Sequence, residues 1–170
     1  MRRHTSPARA SSFARERLST LSSSALSRGS PGRARVATPA DKNLLVAWLA
    51  DFHKSVPGPD ENHSKVVDDR LSYGGLTLWE HDGAPVSLAG LVRPAAGQVR
   101  VAPVHTPPQW RGRGFSGAAT AAVSRAALDA GAKEVLLFTD LANPTSNALY
   151  QRLGYQPVTD RVVLEFSPQA

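Results

Sequence analysis

The sequence predicts an α/β (α+β) fold: a single domain in which helices flank a sheet of mixed strand directions. Three observations carry this. Apolar residues recur at helical spacing, then at period two, then at helical spacing again, in the order βααβββαβαβ. Breaks such as Gly74-Gly75, Asp82-Gly83 and Gly131 separate the runs. The chain is 170 residues long, enough for one ordinary core. The order is not the strict βαβαβ alternation of a dinucleotide-binding sheet.

Residues 1–32 are rich in Ser, Arg, Ala and Pro, with few large apolar side chains. Such a stretch buries too little surface to offset its ordering entropy, so it is expected to be a disordered basic tail, with the domain at 33–170. Its composition fits two origins, an organellar transit peptide or an extension typical of a GC-rich genome. The second is preferred, and with it a cytoplasmic, bacterial-type protein. No apolar segment follows the arginines as a secretory signal requires, and no run of 18 apolar residues offers a membrane span.

Order is expected from Arg33. Arg35-Val36-Ala37 reads as a short strand, and Thr38-Pro39-Ala40-Asp41 as a helix start with a Thr cap, Pro in the first turn and an acid behind it. Leu45, Trp48, Leu49 and Phe52 then form an amphipathic stripe. Pro57-Gly58-Pro59 breaks the chain, and a second helix covers Asn62 to Leu71. Leu76–His81 and Pro85–Val92 flank the hairpin signal Asp82-Gly83, and Val99 to Thr106 is a third strand of this group. An Ala-rich helix runs from Gly117 to Ala130 and stops at Gly131. Glu134–Thr139 reads as a buried strand, Asn143-Pro144 opens a helix that stops at Gly154, and Val158–Phe166 closes the pattern.

The formal net charge is +6, but it is unevenly placed. Residues 1–35 hold eight arginines against Glu16, while the remainder carries 12 basic and 13 acidic residues. The basicity belongs to the tail, which argues against a specific nucleic-acid domain and leaves only loose polyanion association by the tail as a rival. There is no cysteine, which excludes disulfides, thiolate metal sites and a thiol nucleophile. His53, His63, His81 and His105 show no ligand spacing, so no metal is expected.

The most informative segment is Arg111-Gly112-Arg113-Gly114-Phe115-Ser116, between the strand Val99–Val104 and the Ala-rich helix. A glycine-rich turn opening a helix leaves backbone N–H groups unpaired at the positive end of the helix dipole, which suits an anion. From the loop alone, an anion site and a tight turn with surface arginines stand equally. It has neither Gly-x-Gly-x-x-Gly nor the Lys-Ser/Thr of a P-loop. A nucleophile elbow at Ser116 fails because Ala118 replaces the last glycine and no histidine follows the serine.

This loop resembles the Arg/Gln-x-x-Gly-x-Gly/Ala signature of the GNAT superfamily of N-acetyltransferases, with Ser116 where Gly or Ala is usual. A second stretch, Asn143-Pro144-Thr145-Ser146-Asn147-Ala148-Leu149-Tyr150 with Leu153-Gly154-Tyr155, is similar to that family's Asn-x-x-Ser-x-x-Leu-Tyr-x-x-x-Gly-Phe/Tyr motif. The two lie in the family's order, and the resemblance covers about residues 33–170. The resemblance implies a mixed, mostly antiparallel central sheet, acetyl-CoA as co-substrate, and a small-molecule or peptide amine as acceptor, in a monomer or homodimer without membrane or specific nucleic-acid partners. It assigns the diphosphate to the backbone of Arg111, Gly112, Arg113, Gly114, Phe115 and Ser116. The pantetheine arm falls to Asn143 and the strand edge at Val104, whose N–H would meet the thioester oxygen, with Pro103 helping to break the ladder there; Ser146 and Tyr150 also count among the cofactor-binding residues. Tyr150 would protonate the departing thiolate. Asn143 also reads as a plain helix cap, and Tyr150 as a core residue.

Acetyl transfer needs a neutral amine, and a lysine-like amine costs about 4.6 kcal/mol to deprotonate at pH 7. His105, at the end of its strand, is the candidate base, against the plainer reading of an exposed strand-end histidine; Glu80 and His81 are further candidates. Without cysteine, direct attack in a ternary complex is the simplest route. Rival expectations are an acyl-CoA-binding module without catalysis and an acyltransferase for a larger acyl group. In the family the acceptor is chosen by the first helices and the loop around Pro57–Asn62.

Overall fold

The computed structural model describes residues 10–21, 30–55 and 62–166. In chain order these form β1 (Ala10–Leu21), β2 (Arg33–Val36), α1 (Lys42–Ser55), α2 (His63–Ser72), β3 (Leu76–His81), β4 (Ala84–Leu91), β5 (Gln98–His105), α3 (Phe115–Asp129), β6 (Glu134–Asp140), α4 (Pro144–Arg152) and β7 (Gln156–Phe166). Among the described residues the sheet has seven strands in the order β2-β3-β4-β5-β6-β1-β7. Every pairing is antiparallel except β5 with β6.

The expectation of a disordered segment through residue 32 fails at β1. Residues 16–21 pair with β6, and residues 10–20 pair with β7 on the other side. A strand held on both edges gains its backbone hydrogen bonds from its neighbours, whatever its own apolar content, so composition alone underrates it. Leu21 is also part of the core. Residues 1–9 and 22–29 of that expected tail, and the Pro57-Gly58-Pro59 break, lie outside the described residues.

The remaining elements stand close to their expected places. A short 3-10 turn at Pro39–Asp41 leads into α1, and the Asp41 carboxylate accepts from the Thr38 backbone N–H at 2.8 Å. Asn62 caps α2 by accepting from Lys65 N–H at 3.1 Å. The Asp82-Gly83 turn takes two positive φ angles, 50° and 76°, as a two-residue hairpin of this kind requires.

Alternation along the strands sorts side chains to two cores. Leu76, Leu78 and Leu88 pack against Leu45, Trp48, Leu49 and Val67 of α1 and α2. Val99, Val101, Val135, Leu137 and Leu21 pack on the other face against Ala119, Val123 and Ala127 of α3, with Leu153 and Tyr155 after α4. A Cβ on Gly117 would stand 2.9 Å from Leu149 Cδ1, so α4 lies against the first turn of α3. No helix among the described residues is long and apolar enough to cross a membrane.

Candidate active site

β5 and β6 pair only from Gln98–Glu134 to Arg100–Leu136. Beyond that, β5 stays with β4 to His105 while β6 stays with β1 to Asp140. The sheet therefore opens between two parallel strands at the end where α3 and α4 begin.

The cause lies in β5. Leu91 stands opposite Val101 and Ala89 opposite Val104, so Ala102 and Pro103 face Gly90 alone. Such a bulge bends its strand, and Pro103 has no N–H to give to a ladder. Gly90 is required here, because a Cβ would come within 2.7 Å of the Ala102 carbonyl and 2.9 Å of Pro103 Cδ. Arg70 of α2 donates through Nη1 to the carbonyls of Ala102 at 2.6 Å and Leu91 at 2.9 Å, pinning the bulge from the helix side. Val104 follows the bulge directly, on the strand that borders the opening.

The glycine loop stands at the same end. Gly112 and Gly114 take φ of 74° and 79°, conformations that cost an L-residue about 1–2 kcal/mol. Gly114 occupies the N-cap of α3 and offers no side chain to its first turn, so N–H groups at the start of α3 have no capping partner in the helix. Phe115 turns its ring inward, 5.0 Å from His81 and 6.2 Å from Trp110, and is buried. Arg113 lies over Trp110 at 5.3 Å and Arg111 Nε donates to the Thr106 carbonyl at 3.0 Å; both side chains are exposed. Ser116 is half-buried in the first helical turn.

Across the opening, Asn143 Oδ1 accepts from Ser146 N–H at 3.0 Å, which is the cap reading of that residue. Tyr150 packs beside the α3 core, edge-on to Tyr155 at 6.0 Å. Its burial pushes the phenol up to about 12, so it stays protonated at any ordinary pH. Tyr155 is fully enclosed and shares a 2.7 Å hydrogen bond with Ser124.

His105 is not an exposed strand-end residue. It is 7% exposed, its ring lies 5.8 Å from Trp48, and its Nε2 is buried without a hydrogen-bond partner. Desolvation lowers its pKa; Asp51 nearby opposes this and Arg111 adds to it. The imidazole is therefore neutral at pH 7. The folded protein resists a proton that the unfolded chain accepts near 6.5, so stability is full above that pH and falls as the pH drops through it. Thermal unfolding between pH 7.5 and 5 is expected to show this decline, and His105→Gln to reduce it.

The other two base candidates are placed differently. Glu80 is clamped by Arg35 Nε at 2.7 Å and Arg33 Nε at 3.0 Å, and the Arg35 contact most strongly holds its carboxyl below the usual range. Arg35 also grips Asp41, whose carboxyl falls to about 2. Glu80 is thus committed to tying β2 to β3 rather than free to take a proton. His81 points to the α3 face, onto Phe115. His53 Nδ1 and His63 Nε2 meet at 2.9 Å, joining α1 to α2. Among the described residues no three His, Asp or Glu side chains converge as a metal group.

Two residues that the motifs did not single out hold the site together. Arg70 is one. Asn147 is the other: it accepts from Thr139 Oγ1 at 2.6 Å and donates to the carbonyls of Asp140 and Asn143 at 3.0 and 2.9 Å, locking the turn between β6 and α4. Its position one turn after the cap residue was the available signal.

Residues 43–155 match the sequence profile of the acetyltransferase (GNAT) family. No curated protein matches the chain. Among solved structures it is similar to a GCN5-related N-acetyltransferase from Sphaerobacter thermophilus, at 18% identity and a TM-score of 0.74 over 94% of this chain and 53% of that one. A GCN5-related N-acetyltransferase from Kribbella flavida shares 25% identity at a TM-score of 0.69, over 95% of this chain and 60% of that one. An acetyltransferase of the GNAT family from Colwellia psychrerythraea shares 13% identity at 0.73, over 93% and 58% respectively. The chain thus spans little more than half the length of each of these structures.

Proposed function

Since this chain belongs to the acetyltransferase (GNAT) family, we propose that it moves an acetyl group from acetyl-CoA to an amine of a small molecule or peptide, by direct attack in a ternary complex. The observation that carries this reading is the opening between β5 and β6, flanked by the glycine loop and α4.

The N–H groups at Gly112–Ser116 and the start of the α3 dipole bind the diphosphate, aided by Arg111 and Arg113. The edge of β5 released by the bulge pairs with the pantetheine arm, and the Val104 N–H polarises the thioester carbonyl. Asn143 and Ser146 border the same arm from α4. His105, kept neutral by burial, takes the proton from the attacking amine nitrogen, and Tyr150 gives its proton to the departing sulfur. The two come from opposite faces of the sheet, His105 beside α1 and Tyr150 beside the α3 core.

Free thiol measured with acetyl-CoA over a broad amine panel tests the reaction. Amine-dependent release supports it, and no release with any amine contradicts it. The double variant Arg111→Ala, Arg113→Ala is expected to raise the Kd for acetyl-CoA about tenfold at low salt, and by less at 0.5 M salt, where these exposed charges are screened.

A further inference from the structure

We propose that the segment Ser30-Pro31-Gly32 is a structural part of the diphosphate site, with Ser30 as a positioning residue for the glycine loop; this rests on the reading of Arg111–Ser116 as the diphosphate cradle. Ser30 Oγ donates to the Arg113 carbonyl at 2.6 Å, across 83 residues of sequence. The same oxygen is the atom that a Cβ on Gly114 would strike, so the hydroxyl sits against the left-handed glycine that ends the loop.

The chemistry of the contact suits a cradle. Anion binding needs the loop's N–H groups outward and its carbonyls turned away. A carbonyl free to rotate toward the ligand would set its negative end against phosphate oxygens. Ser30 ties the Arg113 carbonyl down with a hydrogen bond and so fixes the peptide plane that Arg113 shares with Gly114.

The segment is itself anchored. Trp79 Nε1 donates to the Pro31 carbonyl at 3.2 Å. A Cβ on Gly32 would run into the Glu80 carbonyl and the Trp79 indole, so the backbone lies flat on β3. Trp79 in turn packs against the α3-side core. Ser30, Pro31 and Gly32 lie outside residues 43–155, so the segment that supports the loop comes from a part of the chain that the family profile does not include.

Calorimetric titration of the full chain with acetyl-CoA, and with pantetheine, which lacks the diphosphate, separates the possibilities. Ser30→Ala is expected to raise the Kd for acetyl-CoA about tenfold and to leave pantetheine affinity within about twofold, the size of one lost hydrogen bond. Ser30→Thr, which keeps the hydroxyl, restores most of the affinity. Trp79→Phe removes the anchor without touching the loop and is expected to show the same discrimination at about threefold. Equal losses for both ligands, or no loss in Ser30→Ala while the unmodified protein binds, overturn the proposal. If the unmodified protein binds no acetyl-CoA, the functional reading itself fails and the proposal falls with it.

Discussion

Deletion of residues 1–21 abolishes cooperative folding of the rest of the chain. β1 lies between β6 and β7, so its loss leaves each of them with a bare edge. β7 has no other strand partner among the described residues, and β6 retains only three residue pairs, with β5. An intramolecular hydrogen bond exchanged for water costs about 0.5–1.5 kcal/mol, and the two ladders lost together reach the typical 5–15 kcal/mol stability of a domain. The deletion also removes the buried Leu21, worth about 2–5 kcal/mol on its own if cut to Ala. Urea unfolding followed by circular dichroism checks this. The deleted chain is expected to show no cooperative transition, and Leu21→Ala a transition at clearly lower urea. A deletion variant that unfolds at the same urea concentration as the full chain would show that β1 does not hold the sheet together.

Tyr150→Phe lowers turnover about 10²–10³-fold while changing acetyl-CoA affinity by less than about threefold. The ring remains to pack against Tyr155, so the fold is kept, and only the proton donor is lost. The high phenol pKa, about 12, gives the wild-type rate no dependence on this group across the assayable pH range. Steady-state kinetics with an amine found in the panel provides the measurement. Tyr155→Phe is the companion: it breaks the buried bond to Ser124, lowers the unfolding temperature by a few degrees, and leaves turnover within about twofold. If the two variants lose turnover alike, the effect is packing and Tyr150 is not the acid.

Much of the fold was legible because local chemistry and tertiary structure agree. The strand-loop-helix around Arg111–Ser116, the Asp82-Gly83 hairpin and the Asn143 cap all depend on neighbours a few residues away, and all stand where their turn residues put them. The cap in particular satisfied the plain structural reading of Asn143. β1 was not legible, since its stability comes from two strands more than a hundred residues distant. Site detail was lost for the same reason. Glu80 looks like a free carboxylate until Arg33 and Arg35 close on it, and His105 looks exposed until Trp48 covers it. Sequence spacing ranks such residues as candidates; only packing tells a committed carboxylate from an unpaired imidazole.

The loop at Arg111–Ser116 is proposed to hold acetyl-CoA. Calorimetric titration of the folded protein tests it most directly. One site per chain is expected, and at least a tenfold weaker Kd in Gly114→Val, where a branched residue must adopt φ of 79° and displace Ser30. A folded protein that gives no binding heat at millimolar acetyl-CoA, or a Gly114→Val variant that binds as tightly as the parent, would contradict it.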